Sequence, residues 1–170
     1  MGTLTKLAIV LALGIFSVVL QGTLFKVLFG FNFFVPHLLL IISVLIAFLQ
    51  PNSFGAVCCF LLGLLADFSS VVLIGPWAAA FVVVFFVVSI FSQKLFYDSG
   101  FTAFVVVFVM TLLASSIYLG LELQFKKIDT SIFDLSSSLL LEAFISACFA
   151  PLIFPVIGAF LSRRFGPIAK

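Results

Sequence analysis

Six long apolar runs, interrupted only by short polar punctuation, fill nearly the whole chain. They lie at about 7–29, 34–49, 54–74, 76–92, 101–121 and 136–161. Each is near the ~20 residues that a helix needs to cross ~30 Å of hydrocarbon, the second and fourth being short. In lipid the backbone must satisfy its own polar groups, so only helices and closed barrels can span. These runs are continuously apolar and lack the alternation of a barrel strand. They predict an all-α integral membrane protein: one domain over 1–170, a compact bundle of about six transmembrane helices. Connections such as "QPNS" at 50–53 force neighbouring helices into antiparallel hairpins.

Composition gives the same answer. The chain has 170 residues, 65% hydrophobic and 8% charged, with a mean hydropathy of +1.47. A soluble domain carries roughly a quarter charged residues. The net charge of +2 carries no basic cluster of the size that binds nucleic acid. Cys58, Cys59 and Cys148 lie in apolar runs without metal-ligand spacing, and are expected to be small buried hydrophobes. The N-terminal "MGTLTKLAIVLALGIFSVVLQGT" has a lysine before an apolar run but no clear small-x-small cleavage site, so it is expected to be an uncleaved first span.

Lys and Arg set the expected orientation. With six spans and the N-terminus in the cytoplasm, Lys6, Lys94, Arg163, Arg164 and Lys170 lie inside, and Lys26, Lys126 and Lys127 outside. If 54–74 dipped in and returned without crossing, only Lys6, Lys126 and Lys127 would remain inside. Charge therefore favours a full crossing and two cytoplasmic termini. Trp77 and Tyr118 fall near outer span ends and Tyr97 in an inner loop, where such rings meet headgroups. The segment 122–137, "ELQFKKIDTSIFDLSS", reads either as an amphipathic surface helix or as a solvated loop.

Few residues could carry chemistry. Glu122, Lys126, Lys127, Asp129 and Asp134 read as solvated or interfacial charges, as does Glu142 at the outer start of the last span. His37 follows Pro36 at the start of the second span, where proline suits a first helical turn, and reads as interfacial. Pro151 and Pro155 lie inside the last span and are able to kink it. There is no Ser/His/Asp set, no His/Glu cluster and no phosphate-cradling glycine loop, so neither an enzyme nor a cofactor is expected.

Asp67 is the exception. A helix from Phe54 to Ala66 would be ~20 Å long, too short to cross; one running to Ile74 would be ~31 Å and would place Asp67 inside the hydrocarbon. An aspartate there costs ~2.5–3.5 kcal/mol and should face protein or water. It is either buried and paired, with Ser69 and Ser70 helping to satisfy it, or it marks a broken helix beside a wet vestibule. Gly55, Cys59, Gly63 and Asp67 recur every four residues, on one slowly drifting stripe. Small residues on such a stripe admit another helix closely, so Asp67 is expected to end a tight helix–helix contact.

The pieces "VPHLLLIISVLIAFLQ", "FGAVCCFLLGLLAD" and "VLIGPWAAA" resemble the MreD family, small multispan membrane proteins of the bacterial cell-shape (rod) system. The matching positions are Pro36, Leu38, Leu39, Gly55, Ala56, Gly63, Leu64, Asp67 and Gly75. The resemblance covers about 35–95, with hydropathy alone elsewhere. His37 stands where that family usually has aspartate, Cys59 at a usual glycine, and "QPNS" lacks the usual basic residues. The resemblance implies a non-catalytic scaffold in the bacterial inner membrane, partnered by an MreC-like single-span protein. Through it the scaffold would link actin-like MreB filaments to the wall synthases. It would give Pro36, Gly55, Cys59, Gly63, Asp67 and Gly75 packing or partner-binding roles. A bundle of this size also resembles the substrate-binding component of energy-coupling-factor vitamin transporters. That alternative requires a polar outer pocket, with Asp67, Ser69, Ser70, Trp77 and Glu142 as candidates.

Overall fold

The computed structural model describes residues 2–25, 36–70, 75–92, 100–125 and 132–165, and every regular element among them is helical. Helix α1 (Thr3–Val19) continues through a π-helical turn, Leu20–Phe25. It is followed by α2 (Leu38–Leu49), α3 (Ser53–Ser70), α4 (Pro76–Ser92), α5 (Gly100–Phe125) and α6 (Ile132–Phe165). Valine and phenylalanine recur throughout these helices, residues that favour strands in water. Here the lipid requirement for internal hydrogen bonding decides the backbone.

Among the described residues three segments are long and apolar enough to cross a membrane: Thr3–Thr23, Gly100–Leu121 and Leu139–Leu161. Between them come the shorter α2, α3 and α4, of 12, 18 and 17 residues. Helix α2 is the centre of the bundle. All twelve of its residues are buried, and it touches each of the other five helices. The outer helices instead present apolar faces outward, with Ile15 and Phe16 on α1, Phe101 and Val109 on α5, and Leu152 and Val156 on α6 exposed. This inverts the soluble pattern, as expected for a body whose solvent is hydrocarbon.

Several local expectations change. Pro36 and His37 are not helical, and α2 begins at Leu38 with His37 as its N-cap residue. Proline therefore precedes the first turn instead of occupying it. Helix α3 continues unbroken past Asp67 to Ser70, while 71–74 lie outside the described residues. The polar segment 122–137 does not form a surface helix of its own where it is described: α5 runs on to Phe125 and α6 starts at Ile132. Helix α6 passes through Pro151 and Pro155 as one element. Cys58 and Cys59 are buried as expected, but Cys148 is exposed because its face of α6 points out of the bundle.

Candidate functional site

The site begins at the first turn of α4. Helix N-termini leave amide hydrogens without intrahelical partners. A side-chain cap at the preceding residue usually takes one, but that residue here is Gly75, which has no side chain to offer. Gly75 has φ +123°, in the half of the map that glycine enters readily, and it turns the chain into the helix. Pro76 opens the helix and has no amide hydrogen to satisfy.

The next two amides are met from another helix. Asp67 of α3 accepts the N–H of Trp77 through Oδ1 and that of Ala78 through Oδ2, both at 3.0 Å. The carboxylate is 1% exposed. Hydrogen bonds to a charged group contribute about 1.5–3 kcal/mol each, and the positive end of the α4 dipole adds to them. Two such bonds match the ~2.5–3.5 kcal/mol cost of placing an aspartate at membrane depth. Ser69 donates instead to the Leu65 carbonyl at 2.9 Å, and the Ser70 side chain lies outside the described residues.

One turn earlier, Gly63 makes this approach possible. A Cβ there would lie 2.5 Å from the Ala78 Cα and 2.9 Å from the Trp77 carbonyl oxygen, both backbone atoms. Gly63 and Asp67 thus face the same turn of α4, the first admitting it and the second holding it. Gly55 faces the turn before α3 and Phe85 of α4, whose ring carbon would be 2.8 Å from an added Cβ. Cys59 points elsewhere, its Sγ donating to the Ser43 carbonyl of α2 at 3.5 Å. The stripe therefore meets α4 at its glycines and acid, and α2 at its cysteine.

Trp77, held by its amide, carries its ring into a partly open cavity of about 360 Å³. Leu39 lies in the first turn of α2; Phe81, Ser115, Tyr118 and Glu142 stand around it. Trp77 stacks on Tyr118 (4.7 Å between centroids, 22°) and meets Phe81 edge-on (6.0 Å, 81°). It is only 8% exposed and forms a wall of the cavity. The His37 ring is 4.9 Å from it.

The sequence reads His37 and Glu142 as separate interfacial groups. They form a pair: His37 Nε2 lies 2.7 Å from Glu142 Oε1, with both side chains 24% exposed. The contact is one of proximity, since Nε2 makes no hydrogen bond of good geometry. The same region is tied by the His37 amide donating to Ser146 Oγ at 3.0 Å, and by Gln21 Nε2 donating to the Pro36 carbonyl at 2.7 Å. Ser115, 2% exposed, has no hydrogen-bond partner for its Oγ. Gln21, Ser115 and Ser146 were not singled out in the sequence, because isolated serines and glutamines in apolar runs ordinarily bond to their own helix. Among the described residues no cluster of three or more His, Cys, Asp or Glu could hold a metal ion.

The class is thus an all-α membrane protein, a bundle of six helices among the described residues, with a buried acid capping a neighbouring helix beside a cavity. The family profile described as rod shape-determining protein MreD matches residues 1–160, and the chain belongs to that family. Membership places it in bacterial rod shape determination, in a structural membrane protein family rather than one known for catalysis. Neither the characterised proteins nor the solved structures give a match.

Proposed function

We propose that the chain is a non-catalytic scaffold of the rod complex in the bacterial cytoplasmic membrane. It crosses six times, keeps both termini in the cytoplasm and binds an MreC-like single-span protein. Through that partner it helps position peptidoglycan synthesis relative to actin-like MreB. The family match over 1–160 carries this reading. The lysine and arginine distribution supports the orientation. Pro36, Gly55, Cys59, Gly63, Asp67 and Gly75 serve it by fixing the α3–α4 pair and its neighbours, which gives a partner a single rigid surface to bind. Purification of the tagged chain from its native membrane tests the reading: an MreC-like protein should come with it. Recovery of an ATPase coupling subunit instead would overturn it.

The cavity supports a second reading, the small-molecule binding component of an energy-coupling-factor type transporter. Its volume lies within the ~300–1,000 Å³ typical of ligand pockets. A stoichiometric vitamin in the purified chain would favour that reading over the scaffold.

A further inference from the structure

We propose that the cavity at the α2 N-terminal end binds a primary ammonium group, supplied by a phosphatidylethanolamine headgroup or by a free amine of the same chemistry. The inference holds under either reading of the chain's function.

Three features point there. The first is unspent hydrogen-bonding capacity. Ser115 is among the lining residues, is 2% exposed, and its Oγ has no hydrogen-bond partner among the described residues. His37 is a lining residue too, and its Nε2, 2.7 Å from Glu142 Oε1, lacks a hydrogen bond of good geometry. A buried hydroxyl left without a partner costs about 1–3 kcal/mol, which an occupant would recover.

The second is the sign of the lining. Glu142 contributes a carboxylate, and no lysine or arginine is among the described lining residues. The positive end of α4, which could otherwise attract an anion, already holds Asp67. The site thus offers acceptors to a cation. An ammonium would share Glu142 with His37, which lies against it.

The third is the wall. Trp77, Tyr118 and Phe81 bring aromatic surface beside Glu142, and ring quadrupoles attract a cation lying against them. A primary ammonium has three donors, enough for Glu142 and Ser115 together, whereas a quaternary one has none. A volume of about 360 Å³ suits a headgroup, not acyl chains, and the cavity is partly open, which leaves a way out for the rest of a lipid.

Trp77 is the chain's single tryptophan and lies in the wall, so its fluorescence reports occupancy directly. The purified full chain in detergent would be titrated with short-chain phosphatidylethanolamine, phosphatidylcholine, phosphatidylglycerol and free ethanolamine. The expected result is a saturable response to phosphatidylethanolamine, about tenfold weaker for phosphatidylcholine and for the Glu142→Gln variant. Ser115→Ala should weaken binding by several-fold without lowering the thermal stability of the unliganded chain, and it carries the test if Glu142→Gln misfolds. Saturation by ethanolamine at similar concentration assigns a free amine; a response to the lipid alone assigns the headgroup. No saturable response to either amine, an equal response to phosphatidylglycerol, or undiminished binding by the variants would overturn the proposal.

Discussion

Asp67 Oδ1 accepts the backbone N–H of Trp77 at 3.0 Å, so the buried acid of α3 holds α4 by its first turn. Trp77 is in turn a wall of the cavity. One contact thus links a helix cap to the shape of a site. Loss of the cap should be read in the bundle's stability and in the environment of the indole.

Substitution at Asp67 should separate cap from bulk. Asp67→Leu leaves the Trp77 and Ala78 amides unmatched at a buried position, about 1–3 kcal/mol for each. Asp67→Asn keeps one neutral acceptor and should lose roughly half as much. Thermal unfolding in detergent should rank wild type above Asn and Asn above Leu, with Trp77 emission shifting in the same order. Identical behaviour of the two variants would rule out the cap as the residue's contribution.

At Gly63 the smallest possible addition should suffice. The atoms that an added Cβ meets belong to the α4 backbone and cannot rotate away. Gly63→Ala should therefore destabilise by about 1–3 kcal/mol, the usual range for overpacking. Gly120→Ala is the control, since a Cβ there meets nothing within 4 Å and alanine favours helix. Unfolding of both variants in a mixed-detergent titration measures the difference, and a Gly63→Ala midpoint equal to that of Gly120→Ala would refute close packing at this site.

Gly75 is constrained by conformation, not space. Nothing lies within 4 Å of an added Cβ, yet φ is +123°. Gly75→Ala should lower stability by about 1–3 kcal/mol through backbone strain alone. Because that strain falls on the α4 N-terminus, the variant should not add its full effect to Asp67→Leu. A double variant whose loss equals the sum of the singles would show that the turn and the cap act independently.

His37 and Glu142 should be energetically coupled. A double-mutant cycle with His37→Ala and Glu142→Ala should return an interaction of about 0.5–3 kcal/mol, as for residues in direct contact. The measurement is unfolding of the four proteins in the same detergent. A coupling of zero would make the 2.7 Å approach a contact without energetic consequence.

The apolar runs made the helical class legible, because a chain with 8% charged residues has no other way to face its solvent. Asp67 was legible as an anomaly and its stripe as a packing face. Its partner was not, because backbone amides leave no mark on a sequence. One signal was present: "GP" at 75–76 opens a helix with a residue that has no cap to offer, so an acceptor must come from elsewhere. The pairing of His37 with Glu142 was hidden for a different reason. Their spans lie near opposite ends of the chain, and hydropathy orders spans along the sequence without saying which ones touch. The burial of Trp77 was hidden for a third reason: a span-end tryptophan looks the same in sequence whether its ring is exposed or packed into the bundle.

The central helix has a consequence for how the chain enters its membrane. Twelve helical residues rise about 18 Å, well short of the ~30 Å hydrocarbon layer. In the finished bundle, neighbours enclose α2 and lipid length does not matter. During synthesis those neighbours on its C-terminal side do not yet exist. Helix α2 therefore depends on chain that follows it for a stable place in the bilayer, with the α3 hairpin as the first available support. Interrupting synthesis between α2 and α3 should leave a segment that slips back out, so the interior of this protein is completed from outside inwards.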